Sequence, residues 1–328
     1  MKYRVMLFII FHGFSIDLYA QSPSASDIFI GEIKRSANGL SVVNLKQVTD
    51  NVEYTNQPYF FDDKHLYFTQ EVKGVDGQAS QMDIFRYDVS SNQSTNLTNS
   101  SDSEYSATPT PDGVGFSVIK VNSANKQELW QITFSGQPIQ QLANAIEPVG
   151  YQVWMQDDKV LLFVLGEPHA LRMVDPFNPD DAGHVIAESI GPSLHRMPHT
   201  QGYTYTVEAA ENSNSNSHDH SKATHKMTKG QGASLWLYSP LTGKKQALTN
   251  LPVGATYYAW TPNSELLSTV ENKLLAMPFL VNRNKRSGLP VESTVFSEVE
   301  IEGKACKKGI SRLAVSPYDE KIALVCVR

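Results

Sequence analysis

Residues 105–118 read Tyr105-Ser106-Ala107-Thr108-Pro109-Thr110-Pro111-Asp112-Gly113-Val114-Gly115-Phe116-Ser117-Val118. An aromatic residue opens a short strand, Thr-Pro-Asp-Gly makes a turn, and an apolar strand returns. Pro and Asp suit the corners of a turn, and Gly its left-handed position. The same form recurs along the chain. Tyr54-Thr55-Asn56-Gln57-Pro58 leads to Asp62-Asp63-Lys64 and Leu66-Tyr67-Phe68. Gly150-Tyr151-Gln152-Val153-Trp154 leads to Asp157-Asp158-Lys159 and Val160-Leu161-Leu162-Phe163. Ser193-Leu194-His195-Arg196 leads to Thr200-Gln201-Gly202 and Tyr203-Thr204-Tyr205. Tyr257-Tyr258-Ala259-Trp260 leads to Thr261-Pro262-Asn263-Ser264 and Leu266-Leu267. Ile310-Ser311-Arg312-Leu313 leads to Ser316-Pro317-Tyr318-Asp319 and Ile322-Ala323-Leu324-Val325.

With Tyr54, Tyr105, Tyr151, His195, Tyr258 and Arg312 as anchors, the spacings are 51, 46, 44, 63 and 54 residues. Periods in the forties are those of a four-stranded propeller blade. The longest interval holds a polar insertion. The second half of each unit supplies further strands with half-buried alternation, such as 83–88, 127–132 and 234–238. The sixth unit stops at Arg328 after two strands, and two strands near the start, 27–33 and 40–48, lack a blade of their own. Joined, they complete one. The expected fold is therefore all-β: a six-bladed β-propeller closed by N-terminal and C-terminal strands sharing one blade, which removes free sheet edges. A pair of β-sandwiches is the alternative, and it leaves the half-blades at both ends unexplained.

The chain has 328 residues, with 28 Lys+Arg against 34 Asp+Glu and 41% hydrophobic residues. A net charge of -6 with no basic stripe argues against nucleic-acid binding. No internal run approaches the roughly 18 apolar residues of a membrane span. Residues 1–20 read as a signal peptide: Lys2 and Arg4, an apolar run at 5–11, then a cut expected near Ala20. Residues 21–328 are then a single domain, expected to be a soluble, periplasmic monomer. The segment 211–231 is low in complexity and almost free of apolar residues, so a disordered loop is expected there. The two cysteines, Cys306 and Cys326, flank a hairpin. In an exported chain they are either a disulfide or two free thiols.

These turns and strands resemble the TolB-type, WD-repeat-like propellers of bacterial periplasms. Thr110-Pro111-Asp112-Gly113 and Ser316-Pro317-Tyr318-Asp319 are similar to that family's Ser-Pro-Asp-Gly turn, the second with alterations. The resemblance covers 27–328 and implies an exported, stand-alone propeller of unassigned activity. The chain is too short for the small α/β domain that precedes the propeller in TolB itself, so a Tol–Pal partnership is not expected.

In a propeller the first strand of each blade lines the axis, so the anchors should converge on one mouth. The candidate ligand-binding residues are Gln57, Glu104, Tyr105, Tyr151, His195, Arg196, Tyr258 and Arg312, with Trp154 close by. Arginine forks a carboxylate, aromatic rings stack, and His and Gln supply polar contacts. Such a funnel suits an anionic or carbohydrate-like ligand or a peptide terminus. The competing view is that the aromatics only plug the axis. A shift of one residue inverts the face each strand presents.

No catalytic residue, metal site or cofactor is expected. Ser193 and His195 could share a face, but no third group orients the imidazole. His184, His195 and His199 match no metal-ligand spacing, and His218, Asp219, His220 and His225 fall in the polar loop. The Asp pairs at 62–63 and 157–158 read as turn chemistry. The expected function is a ligand- or protein-binding module. A propeller hydrolase, lactonase or lyase, with or without a metal, is the alternative. A third reading, the propeller half of a dipeptidyl-peptidase-type enzyme, requires a separate hydrolase partner.

Overall fold

A computed structural model describes residues 24–37, 39–50, 53–74, 79–208, 232–281, 290–293, 295–303, 305–318 and 320–328. The expected leader at 1–20 and polar loop at 211–231 lie outside them. Among the described residues all regular structure is strand, and no helix is long and apolar enough to cross a membrane.

Four sheets are four-stranded antiparallel meanders whose successive strands are hydrogen-bonded neighbours. They begin with Thr55–Phe60, Ser103–Pro109, Val149–Trp154 and Ile190–Arg196. The other strands form a nine-stranded sheet made of two runs. One run is Tyr258–Trp260, Glu265–Val270, Lys273–Val281 and Ser297–Ile301. The other is Ile310–Val315, Lys321–Val327, Ser26–Ser36 and Gly39–Gln47. They touch through a short parallel contact, Ser41 with Glu300 and Val42 with Ile301. Pro290–Ser293 pairs with Lys273–Val281 off this path.

The N-terminal and C-terminal strands thus share one sheet. Ser26–Ser36 pairs antiparallel with Lys321–Val327, from Ser26 opposite Val327 to Glu32 opposite Lys321. Arg328 secures the join, its Nε 2.6 Å from Asp27 Oδ2 and its Nη2 2.6 Å from Asp50 Oδ1.

Burial explains the strand compositions. Second strands are apolar on both faces because sheets pack against each side of them: Val160–Val164 is buried throughout. Fourth strands are polar and exposed, as in Gln93–Asn96. The buried core falls into six clusters, each bridging neighbouring units of the repeat. One joins Tyr67 and Ile84 to Phe116 and Val118. Another joins Ile28 and Val325 to Phe60, Leu66 and Phe68. The close packing leaves no room at Gly115, where an added Cβ would meet the Ile132 carbonyl oxygen at 1.8 Å.

The leading strands are also neighbours in a closed series. Thr55–Phe60 lies beside Ser103–Pro109, which lies beside Val149–Trp154. Ile190–Arg196, Tyr258–Trp260 and Ile310–Val315 follow in turn, and the last returns to Thr55–Phe60.

Candidate functional site

The leading strands enclose a cavity of about 490 Å³, lined by residues from every one of them: 57–60, 106–109, 151–154, 192–196, 257–260 and 312–317, with Pro198 and Pro262. Five of these strands carry a break in register against their second strand, between Asn56 and Tyr59, Tyr105 and Thr108, Val149 and Tyr151, Ile190 and Leu194, and Ile310 and Arg312. A bulge adds a residue to one strand and re-aims the side chains beyond it. Gln57 and Ser106 occupy these breaks with φ of 56° each. That left-handed conformation is uncommon for residues with a side chain and is retained where the surroundings impose it. The Gln57 side-chain oxygen accepts from the Ser106 backbone N–H at 3.0 Å and from Thr69 Oγ1 at 2.9 Å.

Arg312 occupies the hub. Its Nη2 donates to the Tyr151 hydroxyl at 2.9 Å. Its guanidinium carbon lies 3.9 Å from the centroid of the Tyr257 ring and 5.0 Å from that of Tyr151. A cation over ring faces is stabilised by the quadrupoles. Burial opposes ionisation of the Tyr151 phenol, but the Arg312 charge and hydrogen bond outweigh it and hold the phenol below its ordinary range. Tyr54, close enough to sense Arg312, is pushed up by burial.

His195 Nε2 lies 3.3 Å from Ser193 Oγ. Burial, then the neighbouring Arg312 charge, pushes its imidazole down to about 4. It is therefore neutral near pH 7 and a weak base. Tyr258 is buried, its ring 4.7 Å from that of His195 and its hydroxyl donating to Thr204 Oγ1 at 3.0 Å. It holds neighbouring sheets together. Its sequence neighbour Tyr257 is the residue that faces Arg312. Arg196 is exposed at the rim.

Of the eight residues expected at one mouth, Gln57, Tyr151, His195, Arg196, Tyr258 and Arg312 line the cavity. Glu104 and Tyr105 do not. Both precede the bulge in Ser103–Pro109, which carries the cavity-lining face past them. Tyr105 packs into the core between the second and third sheets. Glu104 is buried, with Oε1 accepting from Ser100 Oγ at 2.6 Å and Oε2 unpartnered. Burial pushes its carboxyl up to about 7. Tyr257, absent from the expectation, was one position from a chosen anchor; the Tyr257-Tyr258 doublet was its only signal.

Among the described residues the cavity lining contains two arginines, one histidine, no lysine and no carboxylate. Among the described residues no three His, Cys, Asp or Glu side chains gather as a metal site would need. His184 borders a separate depression beside Asp175 and Asp181. Cys306 and Cys326 are joined as a disulfide with Cα atoms 4.5 Å apart. Cys306 has φ 57°, and its carbonyl accepts from Gly309 N–H at 3.1 Å. That turn brings Cys306 back beside the hairpin.

Neither a protein-family model nor a curated protein matches the chain. Solved structures resemble it in fold. A putative TolB from Agrobacterium tumefaciens is 11% identical with a TM-score of 0.59, over 93% of this chain and 99% of that one. A Kuenenia stuttgartiensis hydrazine synthase chain is 14% identical with a TM-score of 0.52, over 94% of each. A putative 6-phosphogluconolactonase from Bacteroides uniformis is 10% identical with a TM-score of 0.50, over 92% and 89%. The chain therefore has a TolB-like, propeller-like fold. Such low identity carries the fold and no activity.

Proposed function

We propose that the chain is a six-bladed propeller of the TolB superfamily, exported to the periplasm, which binds an anionic ligand or an anionic protein segment in its central funnel. The six neighbouring leading strands and the six core clusters between units support the blade count. On this reading the nine-stranded sheet is two blades touching at their outer strands.

The charge of the cavity carries the functional reading. In a chain with an excess of acidic residues, the described residues of the lining include Arg312 and Arg196 and no carboxylate. Such a cavity attracts anions and repels cations. The same lining disfavours hydrolase, lactonase or lyase chemistry. It offers no carboxylate pair for acid–base work, and its histidine is a weak base.

The test is a thermal-shift screen of the mature protein against organic anions, phosphate, sulfate, sugars and polyamines. Stabilisation by one or more anions, lost in Arg312→Met, is the expected result. Stabilisation by polyamines or neutral sugars alone, or an anion effect that survives Arg312→Met, overturns the reading.

A further inference from the structure

Arg312 is a half-buried cation whose Nε is enclosed, and no carboxylate is found among the described residues lining the cavity. Proteins normally pair a buried charge, because moving it out of water is costly. Here ring faces and the phenol groups of Tyr151 and Tyr257 replace water only in part. Its Nε has no acceptor, and it is not alone. Of six buried polar side-chain atoms without a partner among the described residues, three belong to residues of this cavity: Ser106 Oγ, Gln152 Oε1 and Arg312 Nε. Unsatisfied buried polar atoms are rare in folded proteins, and a cluster of them around one cavity points to a missing partner.

The walls differ from this polar region. Pro109, Pro192, Pro198, Pro262 and Pro317 bring carbon faces and no N–H to the lining. Trp154 extends that surface outward, its ring 6.3 Å from that of Phe177, which is exposed. Those proline faces offer a polyhydroxylated sugar no donor. A dianion would need a second cation beside Arg312. His195 stays neutral there, and Arg196 sits exposed at the rim. The planar guanidinium fork matches a carboxylate. The volume, about 490 Å³, lies within the range of small-ligand sites.

We propose that the funnel takes a single carboxylate on a compact apolar body, with the carboxylate seated at Arg312 and the body against the proline-bearing walls. This rests on the funnel-binding reading above and names its ligand class. Two sources present that chemistry: a free organic acid, and the carboxy-terminal residue of a polypeptide.

Calorimetric titration of the mature protein tests it with 4-phenylbutyrate, its amide, phenyl phosphate, citrate, and the peptide N-acetyl-Ala-Pro-Phe as free acid and as amide. At least one free acid should bind about tenfold or more tightly than its amide and than phenyl phosphate, the loss expected for one charge-assisted hydrogen bond. Arg312→Met should erase the preference for acid over amide, and Arg312→Lys, which keeps the charge without the fork, should weaken it. Arg312→Lys carries the comparison if the Met variant does not fold. A preference confined to the small acid or to the peptide acid supports the proposal and identifies the source. Equal binding of acid and amide, or no binding by either acid, overturns it. If phenyl phosphate or citrate alone binds through Arg312, the anion funnel stands and the apolar monocarboxylate falls. If no anion binds, both fall.

Discussion

Arg312 Nη2 and the Tyr151 hydroxyl meet at 2.9 Å although 161 residues separate them in sequence. The bond ties Ile310–Val315, in the sheet that also holds both chain ends, to Val149–Trp154 in the third four-stranded sheet. It also supplies a directional contact to a charge that lies over two ring faces.

Tyr151→Phe should therefore destabilise the protein by about 1–3 kcal/mol, because it removes the hydroxyl that accepts from Arg312 Nη2. Equilibrium urea unfolding measures the loss. In the Arg312→Met background the same substitution should cost clearly less, since the charge that needed the hydroxyl is gone. Equal losses in both backgrounds would show that the contact carries no coupling.

Glu104 should make stability depend on pH. Burial raises its folded pKa to about 7 from an ordinary value near 4.5, so the fold favours the protonated carboxyl. The stabilisation is fully present below about pH 4.5 and is lost as pH rises through 7. Glu104→Gln, which stays neutral, should be more stable than the parent at pH 8 by on the order of 2 kcal/mol. It should also flatten the stability profile between pH 4.5 and 7. Urea midpoints measured across that range check this; an unchanged slope in the variant would remove the assignment.

Reduction of the Cys306–Cys326 disulfide should lower stability without unfolding the whole chain. The bridge spans 20 residues, and closing a loop of that size contributes about 3 kcal/mol in the chain-entropy account. Thermal melts of the parent with reductant and of Cys306→Ala/Cys326→Ala should agree with each other and fall below that of the parent without reductant. A parent protein whose melt ignores reductant would count against a structural role for the bridge.

Much of this architecture was legible locally. Thr110-Pro111-Asp112-Gly113 announces its turn because Pro, Asp and Gly each have a backbone preference. The apolar run 160–163 announces a strand buried on both faces. The incomplete strand sets at the two chain ends pointed to a shared sheet, and Ser26–Ser36 does pair with Lys321–Val327. Among the candidate site residues, Tyr151, His195 and Arg312 were chosen because repetition gave each unit an anchor in its leading strand, and these three with Gln57 line the cavity.

The differences come from which face each strand presents. Glu104 and Tyr105 were expected in the funnel, yet the bulge after Tyr105 carries the lining past them. Tyr257 and Tyr258 both line the cavity, and Tyr257 is the one whose ring lies against Arg312. Strand side chains alternate with period two, so a single extra residue exchanges the faces.

By itself, then, the amino-acid sequence determined the strands, the turns, the spacing of the units and the pairing of the ends, because these follow from preferences acting over a few residues and from their repetition. Only the tertiary structure decided which side chains meet at the hub, that no carboxylate joins Arg312 there, and that Glu104 is buried elsewhere. Those outcomes depend on bulge positions and on contacts across more than a hundred residues of chain, which no local preference encodes.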